Sequence, residues 1–180
     1  REAALKALVD NENQLNELAE IEGATSGRLQ VQKRGTEDID TQELVATVIP
    51  HASFINAAFA YWLPQDLNRF NGPGRGAWYA ALETKTCVAE VVFHMNRELE
   101  RINDFNTSIE YSEMFASFSG EFFDLRNQNP LPKCLHPDTV IGYEEGNAVA
   151  LAARKKGCNG IIYPSVRDID GVCLVALQPK

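Results

Sequence analysis

Hydrophobic and polar positions along this chain follow two periods, and the switches between them mark its elements. Over residues 1–22, Leu5, Leu8, Leu15, Leu18 and Glu22 share one stripe with Ala4 and Ile21 beside it, while Glu2, Asp10, Glu17 and Glu20 hold the other face. That spacing predicts an amphipathic helix stopped by Gly23, with a turn over 23–27. Residues 42–49 are apolar and β-branched and predict a strand closed by Pro50. Residues 52–63 predict a short helix stopped by Pro64. Residues 68–76 form a loop rich in Gly, Asn and Pro, followed by a short buried strand over 77–81. Glu83 or Thr84 then opens a helix reaching about Ile102, with Val88, Ala89, Val92, Phe93 and Leu99 at helical spacing.

Residues 108–125 read as β-like, with a break at Gly120, and Pro130, Pro132 and Pro137 keep 127–137 a loop. A helix is predicted over 138–156, with a weak point at Gly146 and a stop at Gly157. A strand over 160–165, a turn over 168–171 and a last strand over 172–177 complete the chain. Helices and strands intermix without strict β-α-β order, which predicts an α+β fold. With no linker or repeat in view, the expectation is one domain over 1–180 carrying an N-terminal helical extension at about 1–27.

Charge narrows the function. Seventeen Lys and Arg face twenty-five Asp and Glu, a net charge of −8. Coating a phosphate backbone calls for an excess of basic residues, so direct nucleic-acid binding and a polybasic membrane surface are both disfavoured. The span from Leu44 to Leu63 lacks Asp, Glu, Lys and Arg, but Pro50, His51, Ser53 and Asn56 interrupt it. It therefore reads as a buried strand-then-helix rather than a membrane span. The acidic first stretch is unlike an export or import signal, and Cys87, Cys134, Cys158 and Cys173 form no C-x-x-C pair. A cytoplasmic chain with reduced thiols is expected. Cys134-Leu135-His136 comes nearest to a metal half-site and has no second half, so no metal is expected.

The chemistry-bearing stretch is 69–94. It places Arg69 and Arg75 in a Gly-rich loop, Tyr79 on a strand, and Glu90 and His94 four residues apart on one helical face. Glycines permit close backbone approach and guanidinium matches phosphate, so the loop suits a phosphate or pyrophosphate. Glu90 stands alone in Val88-Ala89-Glu90-Val91-Val92-Phe93, and a buried carboxylate needs a partner or a ligand. Taken singly, Glu90 also reads as a surface or ion-paired carboxylate, Tyr79 as a core aromatic and His94 as a structural histidine. Neither the Walker ending nor a strand-first G-x-G-x-x-G is met, so spacing alone leaves function open.

Three blocks in order resemble the RES domain: Arg69-Phe70-Asn71 through Gly74, Gly76 and Ala77 to Tyr79-Ala80; then Ala89-Glu90; then Gly160-Ile161-Ile162-Tyr163-Pro164-Ser165-Val166-Arg167. The resemblance runs from about Asn68 to the C-terminus. Leu67 and Asn68 stand where the family often has a glycine pair. What it implies is an ADP-ribosyltransferase-like mixed β core with flanking helices, and a bacterial toxin of the RES–Xre type acting on NAD+ as substrate. Such a toxin breaks the nicotinamide–ribose bond, either transferring ADP-ribose to a protein acceptor or degrading NAD+ by hydrolysis or phosphorolysis.

Under that resemblance Arg69 binds the phosphate or ribose side, Tyr79 stacks on nicotinamide, and Glu90 stabilises charge at the anomeric carbon. Ser165 hydrogen-bonds within the pocket or positions a neighbour of Glu90, and Asn71, Arg75, His94 and Arg167 are further NAD+-binding candidates. The implied partner is an Xre-type antitoxin. A silent partner-binding module of the same fold and a hydrolase using Glu90 and His94 are the competing readings.

Overall fold

The computed structural model describes residues 8–25, 39–46, 48–62 and 67–179. Its elements are α1 (Glu12–Thr25), α2 (Ala52–Ala60), β1 (Trp78–Ala81), α3 (Thr84–Ile102), β2 (Phe122–Asp124), α4 (Thr139–Lys155), β3 (Gly160–Pro164) and β4 (Val172–Ala176), with 3₁₀ turns at Thr41–Glu43 and Lys133–Leu135. The fold is α+β. The sheet order is β1-β4-β3-β2, with β1/β4 and β4/β3 antiparallel and β2/β3 parallel. A parallel pair needs a long crossover, and the loop and α4 between β2 and β3 supply it.

The sheet is covered on both sides, and period-2 alternation sorts its side chains. Ile161, Tyr163, Cys173, Val175 and Leu177 pack with Phe70, Leu125, Cys134, Leu135 and the Ala150 and Ala153 face of α4. Leu174 and Ala176 turn the other way, onto Phe59 of α2, with Ile55, Trp78, Phe118 and Phe122 around them. Ile161 and Val175 are fully buried, and side chains of that kind each contribute about 1.5–3 kcal/mol by leaving water.

Helix α4 starts where Asp138 caps it, its side chain accepting from the Val140 amide at 2.9 Å. It runs unbroken through Gly146, where a weak point was expected. The reason is close approach. A Cβ at Gly146 would sit 1.8 Å from the Arg69 carbonyl oxygen, so only glycine lets the loop reach the helix.

Three expectations are corrected. Residues 42–49 form no strand among those described. Asp40 and Glu43 make a capping box that turns the chain into a 3₁₀ turn. The side chain of Asn56 then takes both backbone groups of Val45, N–H to Oδ1 and Nδ2–H to the carbonyl, each at 2.9 Å, in place of a neighbouring strand. Within 108–125 only Phe122–Asp124 is strand. Helix α1 begins at Glu12, where Asn11 accepts from the Gln14 amide, and continues past Gly23 to Thr25. Residues 1–7 and 26–27 of the expected N-terminal extension and Leu63 of the expected second helix lie outside the described residues. No helix among the described residues is long and apolar enough to cross a membrane.

Candidate active site

Arg69 lies near the start of the 68–76 loop, at the point where Gly146 admits it. It is 8% exposed. Its Nη1 donates to the carbonyls of Cys134 (2.6 Å) and His136 (3.2 Å), and its guanidinium lies 5.4 Å from the centre of the Tyr143 ring. These contacts fix the plane of the guanidinium. Among the described residues it has no carboxylate partner, and the two carbonyls and the Tyr143 ring are what hold its charge.

Tyr79 stands on β1 with its ring open to the cleft (39% exposed) and its hydroxyl end enclosed. The hydroxyl donates to Asn71 Oδ1 and accepts from the Phe70 amide, both at 2.9 Å. Burial pushes the phenol well above its ordinary range, so the ring serves as a flat neutral wall rather than as a base. Asn71 donates in turn to the Arg75 carbonyl at 3.1 Å.

Glu90 projects from the second turn of α3. Its Oε1 accepts from the Ser165 hydroxyl at 2.8 Å, and the Cys173 thiol lies 3.8 Å away. Burial, and after it the charge of Glu90, pushes that thiol up to about 12, so Cys173 stands as a neutral neighbour. One turn on, the His94 ring meets the Phe93 ring edge-on at 5.3 Å. His94 presents much of its surface to solvent, yet the cleft desolvates its ring. That desolvation, reinforced by Arg97, Arg167 and Arg69 and opposed by Glu90, holds the imidazole below its ordinary value. Arg167 lies over the Phe93 ring at 3.4 Å and donates to the Pro137 carbonyl at 2.9 Å. Burial and then the like charge of Arg69 pull its guanidinium below its ordinary value.

Arg69, Tyr79, Glu90, His94 and Arg167 thus line one cleft of about 340 Å³. Ser165 reaches it through Glu90. Two candidates stand elsewhere. Asn71 lies behind Tyr79 and fixes its hydroxyl. Arg75 turns away from the cleft, its Nε donating to the Leu177 carbonyl at 3.1 Å and its Nη2 pairing with Glu43 at 2.5 Å. A guanidinium this buried needs a counter-charge. Glu43 supplies it, and that same bond holds the Glu43 carboxyl below its usual range.

The cleft also takes in Cys87, Val91, Met95, Tyr111, Tyr143, Tyr163 and Cys173, which were not singled out from sequence. Helical spacing could have found the first three, since Cys87, Glu90, Val91, His94 and Met95 form one stripe. The Tyr163 and Cys173 pairing across β3 and β4 and the arrival of Tyr143 from α4 are long-range facts with no local signal.

A small α+β domain whose cleft joins a serine-held carboxylate, two arginines and a tyrosine wall defines a ligand-binding, catalysis-capable class of site. The chain belongs to the RES domain family: the family model matches residues 45–180, and that family is associated with NAD+-processing toxins. No match was found among curated proteins.

Proposed function

We propose that the chain is the toxin of a toxin–antitoxin pair, and that it cleaves the nicotinamide–ribose bond of NAD+ and transfers ADP-ribose to a protein. One observation carries the reading. The Glu90 carboxylate, fixed by Ser165, shares a cleft with Arg69 and Arg167, neither of which forms an ion pair among the described residues. Such a cleft suits a ligand that is anionic at its phosphates and becomes cationic at a sugar carbon. An ADP-ribosyltransferase-like reading of the mixed sheet is consistent with this site.

The chemistry needs little from the protein beyond charge and placement. The C1′–N bond breaks with its electron pair leaving on nicotinamide, and positive charge develops at C1′, as in glycoside cleavage. Glu90 stabilises that charge. A nucleophile of the acceptor protein then forms the new bond to C1′ and releases its proton. Arg69 and Arg167 neutralise phosphate oxygens, and the Tyr79 ring backs the nicotinamide. The cleft volume lies at the low end for small-molecule sites, so it encloses the reacting half of the dinucleotide.

The test incubates cell proteins with the chain and labelled NAD+, followed by mass spectrometry. Label on protein is the expected result. Label confined to small molecules would replace transfer by hydrolysis or phosphorolysis of NAD+. No nicotinamide release, with Glu90→Ala matching the parent, would leave a silent partner-binding module. The partner in this reading is an Xre-type antitoxin with its own DNA-binding helices. The acid surplus of −8 faces its basic surface, and the antitoxin covers the cleft. A co-purified complex that still takes up NAD+ in the cleft contradicts that cover.

A further inference from the structure

Thr86 is the one residue of α3 buried outright, at 0% exposure, and it is polar. A hydroxyl so placed must be bonded. It donates to Asp168 Oδ2 at 2.8 Å, and Asp168 Oδ1 meets the Lys85 ammonium at 2.9 Å. The backbone of the same Asp168 donates to Ser165 Oγ at 3.0 Å, as the Arg167 amide does at 3.1 Å. Ser165 then donates to Glu90. Thr86 and Glu90 are four residues apart on one face of α3. The bonds therefore close a ring that leaves α3 at Thr86, crosses the 165–168 turn and returns to α3 at Glu90.

The ring determines which way the Ser165 proton points. A hydroxyl has one proton and two acceptor positions. Both acceptor positions are taken by the Arg167 and Asp168 amides, so the proton is committed to Glu90 Oε1. The turn is also held close. Ser165 donates its own amide to the Gly171 carbonyl at 2.7 Å, and a Cβ at Gly171 would stand 2.7 Å from Thr86 Oγ1 and 2.9 Å from Asp168 Oδ2. Thr86 and Asp168 line no part of the cleft, so any influence they have on it is indirect.

We propose that Thr86 and Asp168 are positioning residues, which clamp the 165–171 turn to α3 and so aim the Ser165 hydroxyl at Glu90. The link to catalysis rests on the reading of Glu90 given above, while the clamp itself does not. The experiment compares the full chain with Thr86→Val, which keeps the shape and removes the donor, and Thr86→Ser, which keeps the donor.

Amide hydrogen exchange reads the clamp without NAD+. Thr86→Val speeds exchange at Arg167 and Asp168 by roughly fivefold or more and leaves β3, β4 and α4 protected, and Thr86→Ser restores protection. Nicotinamide release reads the consequence. In Thr86→Val kcat falls about 10- to 100-fold with KM for NAD+ nearly unchanged, and Thr86→Ser recovers it. Unchanged exchange at both amides overturns the clamp. So does general loss of protection across the sheet, which would make Thr86 an ordinary core residue. Local loosening with kcat intact overturns the positioning role. A wild-type chain that releases no nicotinamide, yet shows the exchange pattern, leaves the clamp standing and removes the functional reading instead.

Discussion

Helices α3 and α4 are similar in length and both bring residues to the cleft that Arg69 lines, but they use their inner faces differently. Helix α4 buries Gly142, Tyr143, Gly146, Ala150 and Ala153, mostly small residues that let the Arg69 loop and the sheet come close. Helix α3 has the stronger segregation of apolar and polar positions, yet among its residues only Thr86 is buried. Its inner stripe of Cys87, Glu90, Val91, His94 and Met95 faces the cleft, and the apolar positions Val88 and Val92 stay exposed, at 55% and 48%. Helix α4 is thus a scaffold and α3 a wall. A helical apolar stripe by itself does not say that a helix is buried; burial here follows small residues and glycine instead.

Four perturbations sharpen or break that contrast. The largest effect falls on the wall. Glu90→Gln is expected to lower nicotinamide release by a factor on the order of 10² to 10³ with little change in melting temperature, since in the proposed reaction Glu90 supports charge in the cleft rather than packing. A large fall in melting temperature in Glu90→Gln would make α3 a structural helix after all.

Next comes the scaffold. Gly146→Ala improves helix propensity but drives a methyl into the Arg69 carbonyl. The expected loss is about 1–3 kcal/mol, read as a drop of about 2–4 °C per kcal/mol in thermal unfolding. Unchanged melting would show that the close approach is dispensable.

A smaller effect concerns His94. Its imidazole sits below the ordinary value of 6.5 because of burial and the nearby arginines. The folded state therefore resists protonating it more than the unfolded state does. Its contribution to stability is intact above pH 6.5 and is lost as pH falls from there through the folded value. NMR titration of the ring should show a midpoint below 6.5. Glu90 raises that midpoint, so Glu90→Gln should lower it further. A midpoint above 6.5 contradicts the described environment. The smallest effect is on the outer side of α3, where Val92→Lys should change stability by no more than about 0.5 kcal/mol, measured by urea unfolding.

Much of the C-terminal half was legible in sequence because its signals are local. Glu83 and Asp138 bracket helix starts at Thr84 and Thr139, Gly157 follows the end of α4, and β-branched runs mark β3 and β4. The N-terminal half misled because its key contacts are distant or competing. Residues 42–49 have strand composition, but the capping box at Asp40 and the Asn56 amide satisfy the backbone first. In the C-terminal half the exception is 108–121, where aromatic and polar residues carry β propensity but pair with no strand among the described residues.

At the site, Arg69, Tyr79, Glu90 and Ser165 were suggested by the resemblance to the RES domain, not by spacing alone. Arg75 looked like their companion because it shares a Gly-rich loop with Arg69. Sequence could not show that Glu43, 32 residues upstream, takes its guanidinium. Nor could it show that Thr86, written among ordinary helix residues, reaches Asp168 across 82 positions.

The cleft is proposed to break the nicotinamide–ribose bond. Purified chain incubated with NAD+ and followed by proton NMR at C1′ tests it directly. The expected result is loss of the NAD+ signal with matching appearance of free nicotinamide, and far slower loss with Glu90→Gln. NAD+ left intact by the wild-type chain, with or without added cell protein as acceptor, would contradict it.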